Sequence, residues 1–485
     1  MKDVRFTWIL GFACLSLLLV TATACKKEPA APTPTVTSQT NQTNPPLSAE
    51  EIKQQRLAWN LQTLVDPYER AGFTNANWDV SAKLALTEFV RARAKVMDTN
   101  EPWEEIISTN AAAAVRSGCN DPMVSYLFIK FAMNQTTNSK EAFVKAFTAM
   151  AEAMNSSSYP PIRKFYAAER TMDQIYYTFP TNSSHQSVIA KIGSMLTDSL
   201  NATLADKTMP AREAYEVADT ALSLADNKSS LYLQLYHCIE KPLIENWPDD
   251  YTTWLLKGSA QIRFAWIARG GGYADKVTPE GWKLFKEHLA DAKTALEKAW
   301  QLNSNDELIP IQMIRVVEGQ QKSRDEMELW FGRAMTINPN SYQACEQKLH
   351  YLYPQWYGSR EEMVTFGRQC VASTNWGGNV PLILADAHRE YWLYLNDSEE
   401  KTNYWKQPEL WPDIKASFTR FFELNPNAVR CYYNYTWYAY QAGQWDALNE
   451  LIPKLSQPID YTYFGGKDEF DKMVQLAKEN AGKPN

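Results

Sequence analysis

An all-α protein built from helical hairpins is what this chain specifies, and three observations carry that reading. Apolar residues recur with helical spacing over most of its 485 residues, and no segment alternates apolar and polar residues with comparable quality. Short segments recur about 35 residues apart, the size of one helical hairpin. Glycine is scarce, at 19 residues, where turn-dense β sandwiches and barrels use it freely. Hairpins of like size stacked in sequence form an α-solenoid. Abundant aromatics (17 Trp, 25 Tyr and 19 Phe) supply core material and exclude wholesale disorder. The net charge of -7 lacks the basic excess of a phosphate-backbone binder, so no nucleic-acid partner is expected.

Residues 1–24 read as an export signal rather than as part of the fold. Lys2 and Arg5 supply its positive end, and the apolar run from Trp8 to Val20 is shorter than the ~20 residues of a membrane span. Ala22-Thr23-Ala24-Cys25 then puts small residues before a cysteine. This resembles the type II signal peptides of bacterial lipoproteins. The resemblance implies lipidation of Cys25, with acyl chains that anchor the chain to a membrane. Lys26 follows, so the aspartate that favours inner-membrane retention is absent and the outer membrane is the expected location. Residues 25–47, rich in Pro and Thr, read as a flexible tether. Five cysteines remain beyond it, an odd number with no spacing that suggests a disulfide framework. Cys345 and Cys370 could face each other across a helical hairpin.

Helices begin at Ser48, where Glu51 stands three residues on in a capping-box pattern. Residues 48–228 form an N-terminal helical domain without a clean period, and residues 229–485 a repeat domain. The boundary is read at Asp226-Asn227-Lys228. Trp282, Phe285, Leu289, Ala292, Leu296 and Trp300 make one apolar stripe, and Thr278-Pro279-Glu280 before it reads as N-cap, first-turn proline and acidic first turn. Ser323-Arg324-Asp325-Glu326-Met327 recurs as Ser359-Arg360-Glu361-Glu362-Met363, and Phe331-Gly332-Arg333 as Phe366-Gly367-Arg368. Helix ends recur as Leu302-Asn303, Ile337-Asn338-Pro339 and Leu424-Asn425-Pro426. The last interval exceeds two periods by about 17 residues, which are expected between Thr374 and Trp411.

The period, the Asn-Pro helix ends, Gly443-Gln444-Trp445 and the Trp254–Gly258 spacing resemble the tetratricopeptide repeat, in degenerate form. The chain from about Gly118 to Leu455 is also similar to a bacterial family of tetratricopeptide-like proteins with which no activity is associated. That likeness rests on Gly118-Cys119-Asn120-Asp121-Pro122, Tyr159-Pro160-Pro161, Arg269-Gly270-Gly271-Gly272-Tyr273 and Tyr353-Pro354-Gln355-Trp356-Tyr357-Gly358. It implies the fold and leaves function open.

Signatures of catalysis are missing: no nucleophile elbow, phosphate loop, His-Glu-x-x-His or Cys-x-x-Cys occurs, and none of the five histidines lies four residues from another. No catalytic residue, metal ligand or cofactor is therefore assigned. Asp249-Asp250 and Glu361-Glu362 suit helix starts, where the macrodipole favours carboxylates. Arg269 with its glycine run could present N–H groups to an anion, or close a helix. Aromatics with a polar handle crowd turns and suit ligand binding. Arg269, Tyr353, Trp356, Tyr357 and Trp376 form the candidate binding surface. The expected function is a membrane-anchored lipoprotein scaffold for a protein or peptide partner. A glycan-binding lipoprotein, similar in layout to starch-binding lipoproteins with tetratricopeptide units, is the alternative, and a helical-toroid hydrolase using two carboxylates is a third.

Overall fold

The computed structural model describes residues 48–482 apart from 72, 95–101, 134–138, 179–184 and 226–228. The signal, Cys25, the tether and the boundary residues Asp226-Asn227-Lys228 lie outside the described residues. The described chain is all-α, with no strand, and none of its helices is long and apolar enough to cross a membrane. It divides into two compact units between Leu256 and Lys257.

The first unit contains α1 (Ala49–Arg70), α2 (Asp79–Ala94), α3 (Trp103–Arg116), α4 (Pro122–Leu127), α5 (Lys140–Ser156), α6 (Pro161–Thr178), α7 (Gln186–Leu204), α8 (Ala211–Leu224) and α9 (Ser229–Asn246). Ser48 caps α1 as its sequence requires, with both bonds of the capping box formed. Neighbours in sequence are neighbours in space: α1 packs on α2, α2 on α3, α5 on α6 and α6 on α7. Buried alanines at 82, 85, 111 and 114 let α2 and α3 approach closely, around Leu86, Val90 and Ile107. Asp121 caps α4 by accepting from the Met123 and Val124 N–H groups at 2.9 and 2.8 Å. Burial pushes its carboxyl up to about 6 despite those bonds and one from the Tyr159 hydroxyl. A π turn, Phe128–Ala132, ends α4.

The second unit starts within α10 (Tyr251–Arg269) and continues through α11 (Pro279–Leu302), α12 (Leu308–Gly319), α13 (Arg324–Ile337), α14 (Tyr342–Tyr351), α15 (Arg360–Ala372), α16 (Ile383–Tyr394), α17 (Ser398–Tyr404), α18 (Leu410–Leu424), α19 (Cys431–Gln441), α20 (Trp445–Leu451) and α21 (Lys467–Glu479). The local signals act where they were read. Thr278, Ser323 and Ser359 each accept a backbone N–H three residues on, opening α11, α13 and α15. The reciprocal glutamate bond is not formed at the last two: Glu326 turns to Lys293 and Glu362 to Arg324. Asn303, Asn338 and Asn425 end α11, α13 and α18 alike, each sending its N–H back to the carbonyl four residues before. Gly258 lets α11 seat Leu296 against α10, since a Cβ there would lie 2.5 Å from Leu296 Cγ.

The two sequence copies touch through equivalent residues. The Phe331 and Phe366 rings meet edge-on at 5.7 Å. α12 packs on α14, and α14 on α16. The surplus residues after α15 include the short helix α17, whose Tyr404 is buried with the following Trp405 in a cluster around Leu410, Ile414 and Phe418. There His388 bridges the Tyr404 hydroxyl at 3.1 Å and Asp413 at 3.0 Å, and Arg368 grips the same carboxylate. Cys345 and Cys370 do face each other across α14 and α15, as thiols within hydrogen-bonding reach rather than as a disulfide.

Candidate functional site

At the loop after α14, three of the five sequence-derived candidates, Arg269, Tyr353 and Trp356, come together in one strip. Gly358 turns the chain back beneath the helix end, where any Cβ would collide with the Leu352 carbonyl. The Trp356 N–H donates to Tyr353 O at 2.8 Å and that of Tyr357 to Tyr351 O at 3.2 Å. Trp356 thereby meets Trp266 of α10 edge-on at 5.6 Å and lies 5.9 Å from the His350 ring. His350 continues to Tyr353 at 4.8 Å. At the other end, the Arg269 guanidinium sits 5.5 Å from the ring centroids of both Trp266 and Trp282. Arg269, Trp356 and Tyr353 are therefore members of one strip of rings.

Arg269 also spends its Nη1 on the carbonyls of Gly270 and Gly272, at 3.1 and 3.0 Å, and Gly270 takes a left-handed φ of 75°. Its guanidinium closes the loop after α10 as well as covering the tryptophans. Tyr357 lies beneath the strip, stacked on Tyr351 at 4.7 Å, with its hydroxyl donating to Glu318 O at 2.7 Å. Trp376 is not in the strip. It packs edge-on to Phe331 at 5.7 Å, and its N–H donates to Ser373 Oγ.

Beside the strip runs a carboxylate-rich face that composition did not reveal. Glu318 of α12 is only 2% exposed and takes a bond from His350 Nδ1 at 2.8 Å. Tyr342 donates to Asp386 Oδ2 at 2.7 Å, and Arg389 lies 2.7 Å from Glu390 and 4.0 Å from Asp386. Burial pushes Asp386 up to about 6, helped by Glu346 and Glu390 and opposed by Tyr342 and Arg389. Glu346 is raised by burial and then by Glu390. Tyr353 is raised by burial and by its bond to Glu390. Tyr342, Glu346 and His350 follow at four-residue steps on α14, and Asp386 and Glu390 do so on α16. That spacing puts each set on one helix face and was the available signal. Four carboxylates meet two guanidiniums here, of Arg315 and Arg389.

Two hollows continue the surface. One of about 620 Å³ is lined by Trp282, Phe285, Leu289 and Gly319. The other, about 160 Å³, is lined by Tyr353, Pro354, Met363, Glu390 and Tyr394. Among the described residues no group of three or more His, Cys, Asp or Glu side chains is placed to hold a metal ion. Asp250 and Glu361-Glu362 sit at the starts of α10 and α15, where Asp250 accepts the Thr252 N–H at 2.9 Å.

Fold and site together define an all-α protein with an acidic, aromatic surface on its second unit. No protein-family model matches the chain, and no curated protein is similar to it.

Proposed function

We propose that the second unit is a degenerate tetratricopeptide-like α-solenoid, and that the chain is a membrane-anchored lipoprotein scaffold binding a protein segment rich in Lys and Arg. The observation that carries this reading is the acidic face on α12, α14 and α16, flanked by the strip from Arg269 to Tyr353. Repeat arrays bind ligands along extended surfaces made by successive helices. Carboxylates attract a basic segment and steer its approach, while ring faces and the two hollows accept aliphatic stems and apolar side chains. A glycan platform is less well served. It needs open ring faces, whereas Trp266 is held edge-on by Trp356 and Phe285 and covered by Arg269. Cys25 would carry the acyl anchor to the outer membrane, and residues 26–47 would span the distance to the folded part.

Peptide display on the immobilised full chain tests the reading. Recovered peptides should be enriched in Lys and Arg, and Glu346→Lys should weaken their binding at least about tenfold, the equivalent of ~1.4 kcal/mol. Affinity should fall with added salt. It should also fall as pH drops through about 6, because Asp386 then takes up a proton and loses its charge. Recovered peptides without a basic bias, or equal binding by the Glu346→Lys protein, would overturn it.

A further inference from the structure

The first unit contains a pocket of about 240 Å³ that the peptide reading does not use. It is lined by Arg93 of α2, Tyr126 and Lys130 from α4 and its π turn, and Arg163, Tyr166 and Arg170 of α6. Arg163 is the unusual member, only 3% exposed. Its Nη2 donates to Asn60 Oδ1 at 2.6 Å and Thr63 Oγ1 at 2.7 Å, both neutral. No described carboxylate pairs with it, and its Nε is buried without a partner. The Nε groups of Arg93 and Arg170 are buried and unpartnered too. Three guanidiniums on one pocket thus each keep an N–H unused, where buried donors are nearly always satisfied.

Charge leads the same way. The lining itself carries four cations, Arg93, Lys130, Arg163 and Arg170, and one carboxylate, Glu169, in a chain whose net charge is -7. Glu213 and Glu216 pair with Arg93, and Asp173 with Arg170. Burial, reinforced by Arg93 and opposed by Glu213, pulls Arg163 down to about 10. Aromatic rings complete the pocket. Tyr166 lies 4.6 Å beneath the Arg93 guanidinium, and the Lys130 ammonium lies 5.6 Å from the Phe89 and Tyr126 rings. The π turn that carries Lys130 is a helix irregularity found disproportionately at functional sites. The volume falls short of the ~300 Å³ at which drug-sized sites begin, so the ligand is small.

We propose that this pocket binds a small organic dianion, a phosphate monoester or a dicarboxylate, with its oxyanion on Arg163, Arg93 and Arg170. Lys130 supplies the remaining charge. Tyr126 and Phe89 face the planar or apolar body. Guanidinium forks suit both head groups, because each offers paired oxygens to parallel N–H donors.

Calorimetry of the full chain at low salt tests this with phenyl phosphate, phthalate, inorganic phosphate and neutral phenol. At least one organic dianion should bind with Kd below about 1 mM, and phenol should give no heat. The tighter of the two dianions identifies the head group. Arg163→Gln should weaken binding at least about tenfold, since a charge-assisted contact is lost. Lys130→Gln, on a partly exposed residue, should weaken it in a protein whose circular dichroism is unchanged. Failure of both dianions to bind the unaltered chain would overturn the site. Unchanged affinity in both variants would do the same. Inorganic phosphate binding as tightly as phenyl phosphate would overturn the organic body. The result is independent of the peptide surface, which lies in the other unit.

Discussion

Glu213 has no exposed surface, yet it is charged because three arginines reach it. Arg56 Nε donates to it at 2.8 Å and Arg93 Nη2 at 3.3 Å, while Asn60 Nδ2 adds a bond at 3.0 Å. Burial alone would raise its carboxyl, and Arg93, Arg56 and Arg163 reverse that and hold it down to about 2. A folded value below the unfolded ~4.3 means that its stabilisation is complete above that pH and is lost as pH falls toward 2. Glu213→Gln leaves Arg56 and Arg93 facing each other with one anion fewer. Urea unfolding at pH 7 should show a loss of about 3–5 kcal/mol, and the gap between the two proteins should narrow as pH falls through 4. A loss under about 1 kcal/mol would mean that Glu216 carries the cluster alone. No sequence pattern announces this network, because its members lie 157 residues apart. Arg269, Tyr353 and Trp356 were legible, since aromatics and arginine in tight turns are a local signal. Trp376 carried the same signal, but Phe331 took it into the packing. The acidic face was not legible because its carboxylates sit at ordinary helix positions, and only the packing of α14 on α12 and α16 gathers them.

Helices α13 and α15 show what repetition specifies and what it leaves to context. Both open on a serine cap, both were legible at their starts, and the three Asn-terminated helices were legible at their ends. Cap chemistry is settled within a few residues, so one sequence suffices to read it. Packing is settled by what arrives from elsewhere. Gly332 and Gly367 occupy equivalent positions in the two copies, yet a Cβ on Gly332 meets nothing within 4 Å, while one on Gly367 would lie 2.6 Å from the Leu384 Cα of α16. Substitution by alanine should therefore act in opposite directions. Gly332→Ala gains helix propensity and should stabilise by about 0.5–1 kcal/mol. Gly367→Ala pushes α16 away and should cost about 1–3 kcal/mol. Thermal unfolding of the two variants decides; equal shifts would mean that the two helices pack alike. The period did not reveal this difference, and it did not show that α17 would fill the extra length with Tyr404 and a His388–Asp413 bridge.

At the scale of the whole chain, the division into two compact units falls inside α10, between Leu256 and Lys257, where no linker composition marks it. The boundary read from the sequence at Asp226-Asn227-Lys228 lies outside the described residues. The proposed anchor depends on a different kind of information: a cleavage signal read by enzymes, which needs no fold at all. It makes a prediction that the folded units do not influence. Each buried methylene of an acyl chain contributes about 0.8 kcal/mol to membrane binding, and a single chain gives only reversible attachment, so a stable anchor needs more than one. The full chain expressed in a bacterial host should therefore partition into the detergent phase on cloud-point separation, with a mass showing loss of residues 1–24 and added acyl groups on Cys25. Cys25→Ser should move it to the aqueous phase, because the variant has no thiol at position 25 to carry acyl chains. Peptide binding by that variant should be unchanged, since the carboxylates of α12, α14 and α16 are formed without Cys25. An unaltered chain found wholly in the aqueous phase would remove the anchor and leave the acidic surface standing.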